Sequence, residues 1–149
     1  MDQTDLRILR ILQEDSGLSV SDVAKQVGLS ASPCWKRINR MQKEGIIKRQ
    51  LAVLDAHRLG FGLTVFVHIK TGEHSTTWLE EFSTKVTAMP EVMEIHRIAG
   101  EVDYMLKVVV PDMGAFDTFY KRLIGTAALG EVTSHFTMET IKETTALPI

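Results

Sequence analysis

The sequence predicts an α+β protein with a helical N-terminal part and a C-terminal part of mixed strands and helices. Apolar residues recur at helical spacing through the first 45 residues. From residue 63 onward, stretches rich in β-branched and aromatic residues alternate with helical stretches. Basic side chains are concentrated in the helical part, so the two parts also differ in charge.

The first predicted helix runs from Thr4 to Asp15. Its leucines and isoleucines follow an i, i+3, i+4 pattern, which is typical of an amphipathic helix. Thr4 or Asp5 suits the N-cap position. The Ser16-Gly17 pair that follows breaks the pattern and ends the helix.

The second predicted helix is short and covers residues 19–27. Ser19 or Ser21 can cap it, and its valines and alanine form one apolar side. Gly28 follows its last residue, at the position where a left-handed backbone costs glycine least.

The third predicted helix begins near Ser30 and ends at Gly45. Pro33 suits its first turn, where no intrahelical N–H bond is lost. Cys34, Ile38 and Met41 then recur at i, i+4, i+7 as its apolar side. Three short helices with a tight turn between the last two predict a helix-turn-helix.

The stretch after the third helix predicts a β-strand or hairpin arm. Residues Ile46 to Leu54 are basic and alternate in polarity, and glycines punctuate the segment that follows. We therefore expect three regions: a helix-turn-helix domain at 1–50, a β-arm and linker at 51–62, and a second domain at 63–149.

The second domain predicts a ferredoxin-like β-α-β-β-α-β order. Val92–Ile98 and Tyr104–Val110 flank Gly100 and form a predicted hairpin. Aromatic residues at helical spacing are expected in the core or at a subunit interface. The predicted elements are a strand at 63–70, a helix at 74–87, strands at 92–98 and 104–110, a helix capped by Asp112, and a strand at 132–138.

The net charge of −2 hides an uneven distribution. Residues 1–50 carry nine Lys and Arg against six Asp and Glu, whereas residues 51–149 carry eight against thirteen. Residues 36–49 contain six basic residues and a single acidic residue, Glu44. This distribution favours an N-terminal region, residues 1–50, that binds a polyanion, and a C-terminal region, residues 51–149, that does not.

Several functional classes are not expected. No apolar run is long enough to span a membrane, and the N-terminus lacks the features of a secretory signal, so a cytoplasmic location is expected. Cys34 has no thiol partner and lies on the apolar side of a helix, which favours an inert buried thiol. The five histidines lack metal-ligand spacing, and no nucleophile–base pair or phosphate loop appears. We expect no metal, no cofactor and no enzymatic activity.

Five short motifs in fixed order resemble the Lrp/AsnC (feast/famine) regulators. The resemblance covers nearly the whole chain, and the ordered set is more specific than any single motif. The motifs are Asp5-Leu6-x-Ile8-Leu9-x-x-Leu12, Val23-Ala24-x-x-Val27-Gly28-Leu29-Ser30, Ser32-Pro33-Cys34-Trp35-Lys36-Arg37-Ile38, Gly45-Ile46-Ile47 and Gly100-Glu101-x-Asp103-Tyr104.

The resemblance implies that the helix-turn-helix is winged-helix-like or bears an arm. It also implies a DNA-binding regulator that forms dimers and higher oligomers, with an octamer expected, and that responds to an amino acid. It implies an effector pocket at a subunit boundary, built by the hairpin loop and the start of the last strand. Gly100 would offer backbone N–H groups to a carboxylate, and Asp103 would accept from an ammonium group. The effector-binding residues implied are Ala99, Gly100, Asp103, Tyr104, Thr133, Ser134 and His135.

The third helix is the expected DNA-reading element, since its basic side faces away from its apolar side. Recognition helices read bases near their N-terminus and contact phosphates elsewhere. The candidate DNA-binding residues are Ser30, Ser32, Lys36, Arg37, Arg40 and Lys43.

Two questions stay open from the sequence. The effector is cysteine, as the stretch at 32–37 and the ending at 138–149 suggest by resemblance, or a leucine-like neutral amino acid. The alternative function is a ligand-independent architectural protein that compacts DNA by oligomerising.

Overall fold

The computed structural model describes residues 1–149 and divides them into two compact units. The first unit comprises residues 1–54 together with 141–149, and the second comprises residues 55–140. The predicted division assigned 141–149 to the second domain, so this segment differs from the expectation. No helix in the chain is both long enough and apolar enough to cross a membrane.

Three helices form most of the first unit: α1 (Gln3–Glu14), α2 (Val20–Val27) and α3 (Ala31–Lys43). Their apolar sides meet in one core, and α3 contributes its three buried residues at the predicted spacing. The buried residues of this core are Ile8, Val23, Ala24, Val27, Cys34, Ile38 and Met41. The predicted burial of Cys34 is confirmed, and burial raises the pKa of its thiol.

The ends of these helices follow their local chemistry. Ser19 caps α2 by accepting from the Asp22 N–H, and Gly28 ends it with a φ of 72°. The predicted N-cap of α1 is wrong. Asp2 caps that helix, and Asp5 returns a hydrogen bond to the Asp2 N–H, which makes a capping box with an aspartate in the third position.

The predicted β-strand over residues 46–54 is wrong. These residues form neither helix nor strand, and residues 56–60 form a turn. The physical reason is that a strand needs a neighbour to pair with, and no other segment of the chain pairs with this one. Its apolar side chains stay exposed; these are Ile46, Leu51, Val53 and Leu54.

The segment at 141–149 packs on α1 within the first unit. The side-chain amide of Gln13 donates to the Leu147 carbonyl oxygen at 2.9 Å, and its oxygen accepts from the Leu147 N–H at 2.9 Å. The Arg10 guanidinium donates to a main-chain oxygen of Ile149 at 2.5 Å. These contacts hold the segment on the exposed side of α1.

The second unit has the predicted β-α-β-β-α-β order. Its elements are β1 (Leu63–Lys70), α4 (Thr76–Thr87), β2 (Val92–Arg97), β3 (Tyr104–Val110), α5 (Met113–Ile124) and β4 (Glu131–Phe136). The strands form one antiparallel sheet in the order β2-β3-β1-β4. The helix predicted from residue 74 begins two residues later, because Ser75 caps it. The strand predicted at 132–138 is shifted toward the N-terminus.

Both helices of the second unit pack on one face of the sheet. Alternate residues Val65, Val67 and Ile69 of β1 point into this core and are fully buried. The predicted aromatic core is confirmed, with Tyr120 partly buried; the other members are Trp78, Phe82, Phe116 and Phe119. The opposite face, the helix-free face of the sheet, carries the remaining side chains of the strands, and neither α4 nor α5 packs on it.

Candidate functional site

The first candidate site is the exposed side of α3. Ser32, Lys36 and Lys43 are exposed there, and neither lysine takes part in an ion pair. Ser30 is the N-cap residue of α3, but its side chain accepts no capping hydrogen bond. A shallow groove brings three predicted DNA-binding residues together with three others; its lining is Trp35, Lys36, Asn39, Arg40, Lys43 and Glu44.

Arg37 and Arg40 are held by carboxylates of α1 and its cap. The Arg37 guanidinium donates to Asp2 Oδ2 at 2.7 Å and to Asp5 Oδ1 at 2.8 Å. Arg40 donates to Asp5 Oδ2 at 2.6 Å. Both oxygens of a carboxylate that is only 1% exposed are therefore bound by arginines. Two of the predicted DNA-binding residues thus also link α3 to α1.

The ionised form of Asp5 is strongly favoured. Burial alone would raise its pKa, because a charged carboxylate loses hydration in the interior. The Asp2 N–H and the two arginines more than offset this effect with hydrogen bonds, and they lower the pKa to about 2. The carboxylate therefore stays charged at neutral pH, as a fixed partner for both arginines.

The second candidate site is the hairpin loop between β2 and β3. Gly100 has a φ of 151°, which favours glycine, and Ala99 and Gly100 are exposed. Asp103 ties the loop to the end of β1: its Oδ2 accepts from the Thr71 N–H at 2.8 Å, and its own N–H donates to the Ile69 oxygen at 2.9 Å. One carboxylate oxygen of Asp103 thus has a structural partner, and no donor of the chain contacts Oδ1.

A pocket lies beside this loop on the helix-free face of the sheet. It is lined by His68, Lys70, Glu101, Val102, Glu131, Thr133 and His135. The rings of His68 and His135 are 4.8 Å apart, and Lys70 Nζ lies 3.5 Å from Glu131 Oε2. The pocket is therefore polar, with charges of both signs and two imidazoles.

The predicted effector residues divide into three groups. Thr133 and His135 line the pocket, whereas Ser134 alternates to the other face of β4 and does not. Ala99, Gly100 and Asp103 form the adjacent loop. The ring of Tyr104 lies in the core, 5% exposed and 5.2 Å from the ring of Phe82.

Five lining residues were missed by the sequence analysis. Strand alternation would have found most of them, because His68 and Lys70 share one face of β1, and Glu131 shares a face of β4 with Thr133. Asn39 was missed in the same way on α3, where it lies one turn from Trp35 and Lys36.

A helix-turn-helix beside a β-α-β-β-α-β unit with a polar pocket is the architecture of a ligand-binding transcriptional regulator. The sequence profile of the Lrp/AsnC ligand binding domain matches residues 64–147, and that of a winged helix-turn-helix DNA-binding domain matches residues 1–48. The chain belongs to the Lrp/AsnC family of DNA-binding transcriptional regulators.

Individual relatives agree over the full length of the chain. The DNA-binding transcriptional activator DecR of Escherichia coli strain K12 is 48% identical, covering 100% of this chain and 99% of DecR. The crystal structure of an AsnC family regulator from Agrobacterium tumefaciens is 53% identical with a TM-score of 0.97, covering 99% and 97%. A Neisseria meningitidis regulator crystallised with L-methionine is 32% identical with a TM-score of 0.95, covering 99% and 96%.

Proposed function

We propose that this regulator binds a small amino acid beside the hairpin loop and that binding changes its oligomeric state and its binding to DNA. The observation that carries the proposal is the polar pocket next to the exposed Gly100 loop. The Neisseria meningitidis regulator with bound L-methionine supports an amino acid as the ligand class. The same support extends to the earlier candidates, cysteine and a leucine-like neutral amino acid.

The chemistry of the loop suits a zwitterion. The exposed backbone of Ala99 and Gly100 can donate N–H groups to the α-carboxylate. Asp103 holds the loop through Oδ2 and leaves Oδ1 to accept from the α-ammonium group. Thr133 and His135 then face the ligand side chain, with Ser134 and Tyr104 supporting the strand and the core behind it.

We further propose that the chain forms homodimers that assemble into higher oligomers, with an octamer as the expected state. The helix-free face of the sheet supports this proposal, because Phe66, Met105 and Val109 lie among its polar side chains without an element to cover them. The exposed apolar residues of the segment at 46–54 supply a second such surface. Because DNA lies in the cytoplasm of a bacterial cell and the relatives are bacterial DNA-binding regulators, we expect this protein to be cytoplasmic.

The mechanism we propose is a shift between assembly states. An amino acid held at a subunit boundary favours the assembly to which it binds more tightly, and this changes the spacing of the DNA-reading helices. A ligand with equal affinity for both assemblies would shift neither. In this scheme α3 contacts DNA through Ser30, Ser32, Lys36 and Lys43, beside Arg37 and Arg40.

The test is thermal unfolding of the full chain in the presence of each of the twenty amino acids. A ligand at a hundredfold excess over its Kd should stabilise the native state by about 2.7 kcal/mol. We expect one or a few amino acids to raise the Tm, and we expect Asp103→Asn to abolish the shift. Asparagine keeps an oxygen for the Thr71 N–H but removes the charge that the ammonium needs.

Asp117→Asn is the matched control, since this exposed carboxylate on α5 pairs only with Lys121. It should leave the ligand-induced shift unchanged. If no amino acid raises the Tm of the wild-type protein, the proposed effector site is wrong, and the architectural alternative gains support.

A further inference from the structure

The exposed side of α3 separates two kinds of polar side chain. Arg37 and Arg40 reach back to Asp5, whereas Asn39 makes no side-chain hydrogen bond and Lys36 and Lys43 make no ion pair. The unpartnered groups lie one and two turns apart along the groove. They are therefore polar groups of this groove that can make new contacts without breaking old ones.

Trp35 is the second unusual feature of this surface. Its side chain is 54% exposed, although tryptophan is usually largely buried, and it lines the same groove as Asn39. It lies four residues before Asn39, so the two side chains are neighbours on the helix surface. The groove thus presents an apolar ring beside a free amide, with a lysine on either side.

We propose that Asn39 and Trp35 read base edges, and that Arg37 and Arg40 are positioning residues that hold α3 against α1. This inference rests on the DNA-binding function of the chain. It gives Arg37 and Arg40, which the sequence analysis named as candidate DNA-binding residues, the role of orienting the helix that carries the reading residues.

The chemistry of the free groups indicates which bases they read. A side-chain amide offers an NH2 group that can donate to adenine N7 and, beside it, an oxygen that can accept from the adenine N6 amino group in the major groove. An exposed apolar ring suits the thymine methyl group in the same groove. Lys36 and Lys43 are point charges and suit phosphates, which give affinity but no sequence preference. The groove therefore fits duplex sites in which A·T pairs carry the specificity.

The carboxylate of Asp5 makes the arginines poor readers of guanine. A bidentate contact with guanine needs the guanidinium fork to face the bases. Arg37 already uses its Nη1 on Asp2 and Asp5, and Arg40 uses its Nη2 on Asp5. Turning either fork toward DNA would take away one of the two arginines that bind the buried Asp5 carboxylate, and weakening a buried ion pair in this way is unfavourable.

The experiment selects bound duplexes from a randomised library with the full-length protein. Its variants are Asn39→Ala, Trp35→Ala, Arg37→Lys and Gln42→Ala. Gln42 is the matched control, an exposed amide on the same helix outside the groove. The affinity of each variant for the selected duplex and for an unrelated duplex is then measured over a range of salt concentrations.

We expect Asn39→Ala to lose about tenfold to a hundredfold of discrimination at one A·T pair, while its affinity for the unrelated duplex is unchanged. Trp35→Ala should lose preference at an adjacent pair, and Gln42→Ala should select the wild-type motif. Arg37→Lys should also select that motif, because lysine keeps a positive charge for Asp5, even if the Tm falls.

Two results would overturn the inference. One is a wild-type motif selected by a folded Asn39→Ala variant. The other is the loss of a guanine preference in Arg37→Lys, which would make Arg37 a reader. If the wild-type protein selects no motif but binds all duplexes equally, the protein does not bind DNA sequence-specifically. The base-reading roles of Asn39 and Trp35 are then wrong as well.

Discussion

The two candidate sites hold their charged side chains in different ways. On α3 the charges are sorted: two arginines are fixed by a buried carboxylate, and two lysines are left unpaired. In the pocket beside the hairpin loop, the charges are exposed and pair loosely, as Lys70 and Glu131 do at 3.5 Å. We infer that the ion pairs with Asp5 fix the orientation of α3 before DNA binds, whereas the charged side chains of the pocket can change their positions when a ligand binds.

The strongest way to break this comparison is to remove the carboxylate that fixes the arginines. Asp5→Ala should destabilise the first unit by about 3 kcal/mol, because it removes a capping-box partner and leaves two arginines without their buried anion. The two tryptophans allow each unit to be followed alone, since Trp35 lies in the first and Trp78 in the second. Urea unfolding monitored by Trp35 fluorescence in a Trp78→Phe background measures the effect.

Asp22→Ala serves as the control in the same background. Its ion pair with Lys25 is exposed, and the loss should be about 1 kcal/mol or less. Equal losses in the two variants would mean that the buried carboxylate contributes no more than a surface one, and the contrast between the sites would disappear.

Lowering the pH should also destabilise the first unit, because it protonates Asp5 and so removes the charge that binds the two arginines. The pKa of Asp5 is lowered from 3.8 to about 2 by folding, so its stabilisation is complete above pH 3.8 and is lost as the pH falls toward 2. The loss amounts to roughly 2 kcal/mol at the acid end of this window. We expect urea midpoints of the Trp35 signal to fall between pH 4 and pH 2 by more in the wild type than in Asp5→Asn.

If the two proteins lost stability in parallel over this range, other carboxylates would be responsible for the acid sensitivity. In that case the carboxylate would not be the group that fixes α3.

The smallest effect is expected in the pocket. Lys70→Gln should change the free energy of unfolding of the second unit by no more than about 0.5 kcal/mol, because its partner Glu131 is 65% exposed and well hydrated. Trp78 fluorescence in a Trp35→Phe background measures it. A loss above about 1.5 kcal/mol would show that the pocket charges are as firmly set as those of α3.

The sequence was sufficient for most of the fold because the fold depends on local patterns. Helical spacing located α1, α2 and α3, and the strand-like stretches located the four strands in their correct order along the chain. The predicted strand at 46–54 failed because pairing is not a local property. The N-cap of α1 was predicted at Thr4 or Asp5, two or three residues too late, since Asp2 and Asp5 both suit the role and only the geometry distinguishes them.

The sites were less predictable because they depend on contacts between residues that are far apart in the sequence. Arg37 and Asp5 are 32 residues apart in sequence, so their contact depends on how α3 packs against α1. The basic pattern of α3 predicts a DNA-facing side but cannot separate a paired arginine from a free one. Likewise, Tyr104 belongs to the loop motif, yet the alternation of β3 turns its ring into the core.

The segment at 141–149 means that the polypeptide passes between the two units twice, once after residue 54 and again after residue 140. A protease that cuts only within 51–62 would therefore produce two fragments still joined through this segment, by its hydrogen bonds to Gln13 and Arg10. Excising the helix-turn-helix at residue 54 would remove a native contact of α1 along with the second unit. A fragment intended to report faithfully on DNA binding should carry residues 141–149 with it.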